Sequence, residues 1–146
     1  MKREAPCARG SGAESEGPGV QKIPRQIAEH WWEIMAPLPG QVLRPLRDAT
    51  KRNLSKGHRR CRRNHARQRL SEYRRDMRAW MQSVDDMMTR HGAHLVDLAD
   101  GEQTAKFHAT LTDSERKALA KCQVVRAAIA YGEMSLEWLD WELSNG

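Results

Sequence analysis

Between residues 56 and 69 the chain reads KGHRRCRRNHARQR, with six arginines, one lysine, two histidines and no carboxylate. A guanidinium group is a planar fork of five donors that matches phosphate oxygens and guanine edges in pairs. From Gly57 to Arg90 every formally basic residue is Arg. The side chains expected to reach phosphates are Arg59, Arg60, Arg62, Arg63, Arg67 and Arg69, with Lys56 and Arg74 in support. Wound as a helix, Arg59, Arg60, Arg62 and Arg63 point in most directions around the axis. Core packing cannot hold a helix that is polar on all sides, so the stretch is expected to stand clear of the folded body with its charge uncompensated. The plainer alternative is a solvated face with weak surface ion pairs.

Two other groups of side chains have spacings that bear on chemistry. His58, Cys61 and His65 fall on one helical face, but zinc takes four ligands, no fourth is evident, and the neighbouring arginines repel a cation. His91, His94, Asp97 and Asp100 form a second helix-spaced set. There His91 is expected to pack and the aspartates to cap a turn. The chain has no phosphate-loop, dinucleotide, zinc-protease or nucleophile-elbow pattern. The expectation is a protein that is not an enzyme, with no metal and no cofactor.

Charge is unevenly spread along the 146 residues. Residues 1–43 are neutral, residues 44–78 carry fourteen basic against three acidic side chains, and residues 79–146 carry six against eleven. Such a field draws a polyanion to one end and repels it from the other. Cys7, Cys61 and Cys122 are odd in number and widely spaced, which argues against a disulfide framework and for a reducing, cytoplasmic setting. No stretch approaches the roughly 20 apolar residues of a membrane span.

Several elements must position the basic run. Residues 1–20 mix Gly, Ser, Glu and Pro without periodicity and are expected to be a disordered tail. Ile23, Ile27, Trp31, Ile34 and Met35 then describe a short helix over 24–36, stopped by APLPG. A weaker pattern covers 41–55, with Pro45 near its start and Gly57 after its end. Over 66–94, Leu70, Tyr73, Met77, Trp80, Val84, Met87, His91 and His94 recur at intervals of three and four, and Gly92 closes the run. A second seam follows through Ala118, Cys122, Val125, Ile129, Gly132, Leu136, Leu139 and Leu143, opened by a capping box at Thr112 and Glu115. Gly132, on the buried stripe, predicts either close approach of another backbone or a kink.

The two seams predict an all-α fold: an antiparallel hairpin of long helices with a short packed N-terminal helix, in one helical domain over 21–146 whose Arg-rich segment is 56–78. A fold near residue 102 makes facing residue numbers add to roughly 204. That places Glu133, Glu137 and Asp140 near residues 71, 67 and 64, so the last helix partly neutralises the basic one.

A basic helix running into a heptad seam, with RRNHARQR at the junction, resembles in outline the basic leucine-zipper transcription factors over about 35 residues. The seam carries Tyr73, Met77 and Trp80 where those proteins repeat leucine, and the second seam supplies a partner within the chain, so membership does not follow. The reading is a small nucleic-acid-binding accessory or regulatory protein acting on DNA or RNA. Its alternative is an inhibitor or adaptor that docks the basic helix on an acidic protein surface. Unpaired seam surface would equally support a homodimer. Trp31 and Trp32, or Trp138 and Trp141, are expected in the core rather than stacked on bases.

Overall fold

A computed structural model describes residues 27–145, with side chains through Ser144, and contains five α-helices: α1 (Glu29–Met35), α2 (Gly40–Ala49), α3 (Lys56–Arg90), α4 (Gly101–Ala109) and α5 (Asp113–Asn145). The described residues form no strand. The expected tail over 1–20 lies outside them.

The two long helices are the hairpin that the seams predict. On α5 the stripe Cys122, Val125, Ile129, Leu136, Leu139 and Leu143 is buried, and on α3 it faces Ala66, Leu70, Val84 and Met87. Tyr73, Met77 and Trp80 pack against the core while half-buried. Side chains pair across the hairpin at residue numbers that add to between 201, at Arg59–Glu142, and 211, at Arg126–Asp85, with Arg67–Asp140 and Arg74–Glu133 between them at 207. The expected value of roughly 204 falls inside this range.

The helix ends follow local chemistry. Ser55 caps α3, its hydroxyl accepting from His58 N at 3.1 Å. The other end closes at Gly92, which takes φ +82° where a side chain would strain the backbone. At the start of α5 the Thr112 hydroxyl accepts from Glu115 N at 3.1 Å, and the Glu115 carboxylate accepts from Thr112 N at 2.8 Å. Thr112→Ala is expected to cost about 1 kcal/mol through the lost cap, measured by urea denaturation. An unchanged midpoint would mean that the cap contributes nothing.

Three expectations are corrected. Gly57 does not follow a helix; it is the second residue of α3, which starts ten residues before the apolar seam because Ser55 initiates it. The helix expected over 41–55 ends at Ala49, where the Thr50 hydroxyl turns back on Arg47 O at 2.7 Å. The connection over 92–112 contains α4, capped by Asp100, whose carboxylate accepts from Glu102 N and Gln103 N. Only one strong apolar anchor, Phe107, marks that helix, too few for a periodic signal.

There are two apolar clusters. The larger joins α1, α2 and the turn between them through Trp31, Trp32, Met35, Leu38, Val42 and Leu46 to the basic half of α3 and the end of α5. The smaller gathers Val84, Met87, Phe107, Leu111, Leu119 and Cys122 at the other end of the hairpin. Trp80 and Met81 touch both.

Gly132 is buried between Leu70 and Leu38: a Cβ there would lie 3.0 Å from Leu70 Cδ2 and 3.2 Å from Leu38 Cδ1. The glycine admits two side chains rather than a backbone, and α5 runs through it as one helix.

Candidate nucleic-acid interface

Residues 56–69 do not stand clear of the body. They lie along the open end of the hairpin, flanked by α2 on one side and the last turns of α5 on the other, and both neighbours supply acceptors.

Arg59 is the deepest of the set, 7% exposed. Its Nε donates to Ala49 O at 2.8 Å, and its Nη2 donates to the buried carboxylate of Glu142. Glu142 also receives Arg52 at 2.8 Å. Arg59 therefore ties the C-terminus of α2 to the end of α5 and is withdrawn from any external phosphate. Arg60 donates to Leu143 O at 3.0 Å, satisfying one of the carbonyls that a helix C-terminus leaves open.

Arg62 Nε lies 3.3 Å from Asp48 Oδ2, without the alignment of a hydrogen bond. Lys51 sits 3.1 Å from Asp48 Oδ1. The Lys51 hydrogen bond, more than Arg62, holds the Asp48 carboxyl below its ordinary value of 3.8. A carboxylate depressed on folding contributes stability above its unfolded pKa and loses it as pH falls through the folded value. The difference in stability between the parent and Asp48→Asn is therefore expected at pH 6 and should shrink progressively as pH falls below 3.8. A difference that persists at low pH would assign the effect to something other than the charge.

Arg63 and Arg67 converge on Asp140. Arg67 Nη2 donates to both carboxylate oxygens at 2.5 and 2.6 Å, and Arg63 Nη1 stands 3.4 Å away. Burial pulls the Arg63 guanidinium below its ordinary pKa, against the opposing pull of Asp140. Farther along, Arg69 pairs with Glu72 at 3.1 Å and Arg74 with Glu133 at 3.2 Å. Lys56 is exposed at the helix start.

The premise of an uncompensated arm is thus corrected. Each of Arg59, Arg60, Arg62, Arg63, Arg67, Arg69 and Arg74 has an acceptor within the chain. The carboxylates nevertheless work double shifts: Glu142 serves Arg52 and Arg59, Asp140 serves Arg63 and Arg67, and Asp48 serves Lys51 and Arg62. Pairing orders these guanidinium groups without neutralising them. Arg75 and Arg78, absent from the expected set, are exposed and take part in no ion pair among the described residues. Their signal was their helical position, on the outer side of the Leu70–Met77 seam.

Glu142 is the residue sequence reasoning missed. It sits three residues after Leu139 and one before Leu143, both fully buried. A carboxylate on an apolar stripe signals a buried cationic partner.

The remaining candidates have structural duties. His91 Nε2 is 2.9 Å from Glu115, Asp97 accepts from Ala99 N at 3.0 Å, and His94 is exposed. His58, Cys61 and His65 are exposed, and His65 Nδ1 faces Arg62 at 3.3 Å. Among the described residues no group of three or more His, Cys, Asp or Glu could hold a metal ion, and no helix is long and apolar enough to cross a membrane. Trp31, Trp32 and Trp138 are core residues; Trp31 meets Tyr131 edge-on, and Arg47 lies 4.0 Å over the Trp32 ring. Trp141 alone of the described tryptophans keeps a large exposed part, 37%.

No protein-family model, no curated protein and no solved structure matches the chain.

Proposed function

We propose that this protein binds nucleic acid, without turnover, through the outward edge of α3, in an accessory or regulatory role. The observation that carries the reading is the sharing of Glu142, Asp140 and Asp48 between pairs of cations. Four arginines of α3 share these three carboxylates with Lys51 and Arg52 of the preceding turn, so the basic end keeps a surplus of ordered positive charge. A guanidinium that spends one or two donors on a carboxylate retains others for phosphate. Arg60, Arg67 and Arg74 offer their free edges, and Arg75 and Arg78 extend the row along the exposed side. Ordering these side chains before the encounter lowers the entropy that binding must overcome.

The test is fluorescence anisotropy with labelled duplex and single-stranded oligonucleotides across a salt series. Five phosphate contacts on duplex DNA, from Arg60, Arg67, Arg74, Arg75 and Arg78, give a log–log slope of about −4.5. The double variant Arg75→Ala/Arg78→Ala is expected to make that slope shallower by about 2 while leaving the helical circular dichroism unchanged. A slope near zero for the parent chain overturns the reading.

A second reading rests on a different feature. Arg67 and Arg74 share with Glu133, Glu137 and Asp140 a groove of about 360 Å³ floored by Leu70 and Leu136. Alternating charge over an apolar floor suits an acidic protein surface with its own basic residues, as an inhibitor or adaptor would use. Affinity purification with and without nuclease separates the two readings. A partner that survives nuclease supports the adaptor, and loss of all partners supports direct nucleic-acid binding.

A further inference from the structure

Beyond Arg90, where α3 ends, the chain turns through a short segment that displays its leucines rather than burying them. Leu95 is 78% exposed and Leu98 82%, the two most exposed large apolar side chains among the described residues. Hydrogen bonds build the turn that carries them. Leu95 N donates to Gly92 O at 2.9 Å, Asp97 N to Gln103 Oε1 at 3.1 Å and Asp100 N to Asp97 O at 3.0 Å, while Val96 packs inward on the smaller apolar cluster. Between Arg90 and Lys106 the chain carries Asp97, Asp100 and Glu102 and neither Lys nor Arg. Asp97 and Asp100 accept from the backbone amides of Ala99, Glu102 and Gln103. None of the three carboxylates joins an ion pair among the described residues, so their charge stays uncompensated.

We infer that this acidic leucine tip docks a cationic amphipathic segment of another protein, a short helix with Lys or Arg beside an apolar face. The apolar face covers Leu95 and Leu98, and the cationic side chains reach Asp97, Asp100 and Glu102. The sign of the charge selects this occupant, since the same carboxylates repel an anionic lipid surface or a nucleic acid. The chain's own basic helix does not supply the segment, because Arg59, Arg62, Arg63 and Arg67 are engaged with Glu142, Asp48 and Asp140. Arg78, the last arginine of the edge proposed for nucleic acid, lies about 18 Å back along α3 from Arg90, beyond the roughly 10 Å screening length of ordinary salt. The two surfaces therefore act separately. Two leucines make a small apolar centre, so the contact is weak and salt-sensitive, and a turn ordered in advance limits the entropy lost on docking.

The test is fluorescence anisotropy at low salt on the full chain, treated with nuclease, and a labelled helical peptide built of leucine and lysine with its leucines on one face. The parent chain is expected to bind this peptide and to release it as salt rises. Leu95→Ser/Leu98→Ser, with helical circular dichroism unchanged because both side chains are exposed, is expected to weaken binding at least about tenfold. Asp97→Asn/Glu102→Gln, which keeps an acceptor for Ala99 N, is expected to weaken it about threefold and to flatten the salt dependence. A peptide with glutamate in place of lysine is expected to bind at least about tenfold more weakly. Arg75→Ala/Arg78→Ala is expected to leave peptide binding unchanged, so the inference is tested apart from the nucleic-acid reading. A parent chain that does not bind the leucine–lysine peptide overturns the inference. So does a tip variant that binds it as tightly as the parent, or a glutamate peptide that binds as tightly as the lysine one.

Discussion

Glu142→Ala is expected to lower the stability of the fold by about 3–5 kcal/mol, the largest effect of any single carboxylate among the described residues. The physical cause is the charge left behind. Arg59 and Glu142 are each 7% exposed, so removing the carboxylate strands a buried guanidinium that retains only Ala49 O as an acceptor. Arg52 loses its 2.8 Å partner in the same step. Replacing both ends of the buried pair, Arg59→Met with Glu142→Leu, is expected to recover most of the loss, since apolar groups of similar volume require no compensating charge. Guanidinium denaturation of the parent, the single variant and the double variant reads both effects. A single variant within about 0.5 kcal/mol of the parent would mean that water reaches Arg59 and the pair is a surface bridge.

Gly132→Val should be destabilising by about 1–3 kcal/mol, although valine is a better helix former than glycine. The first added carbon already comes within 3.0 Å of Leu70 and 3.2 Å of Leu38, and the two γ-methyl groups find the same space filled. Because the clash is with a side chain, shortening that side chain relieves it. In the background Leu70→Ala the same glycine substitution is expected to cost less, or to stabilise by filling the vacated volume. Additive effects of the two substitutions would show that the Leu70 contact is not what limits this position.

Much of this architecture was legible in the residue pattern. Intervals of three and four fix which face of α3 and α5 turns inward, and Thr112 with Glu115 and Gly92 with its positive φ mark helix ends by chemistry that acts within one turn. Antiparallel pairing then follows from two facing apolar seams joined by the segment 92–112. The partial neutralisation of the basic helix by Glu133 and Asp140 was readable on the same ground. Helix α4 was less legible, because its cap at Asp100 looks like an ordinary turn residue and its burial rests on Phe107 alone.

The placement of the arginines was decided elsewhere. Along the sequence, Arg59 is indistinguishable from Arg60, Arg62 or Arg63, since all lie in one carboxylate-free run. Their environments diverge because α2 folds back along α3 and the end of α5 closes over it, bringing Ala49 O and Glu142 to one guanidinium and Asp48 or Asp140 to the others. Local periodicity determined that the chain is an all-helical hairpin with a strongly basic stretch at one end. Only the tertiary structure decided which of those charges are buried, which are shared and which face outward, because the acceptors that discriminate among them lie some ten to ninety residues away along the chain.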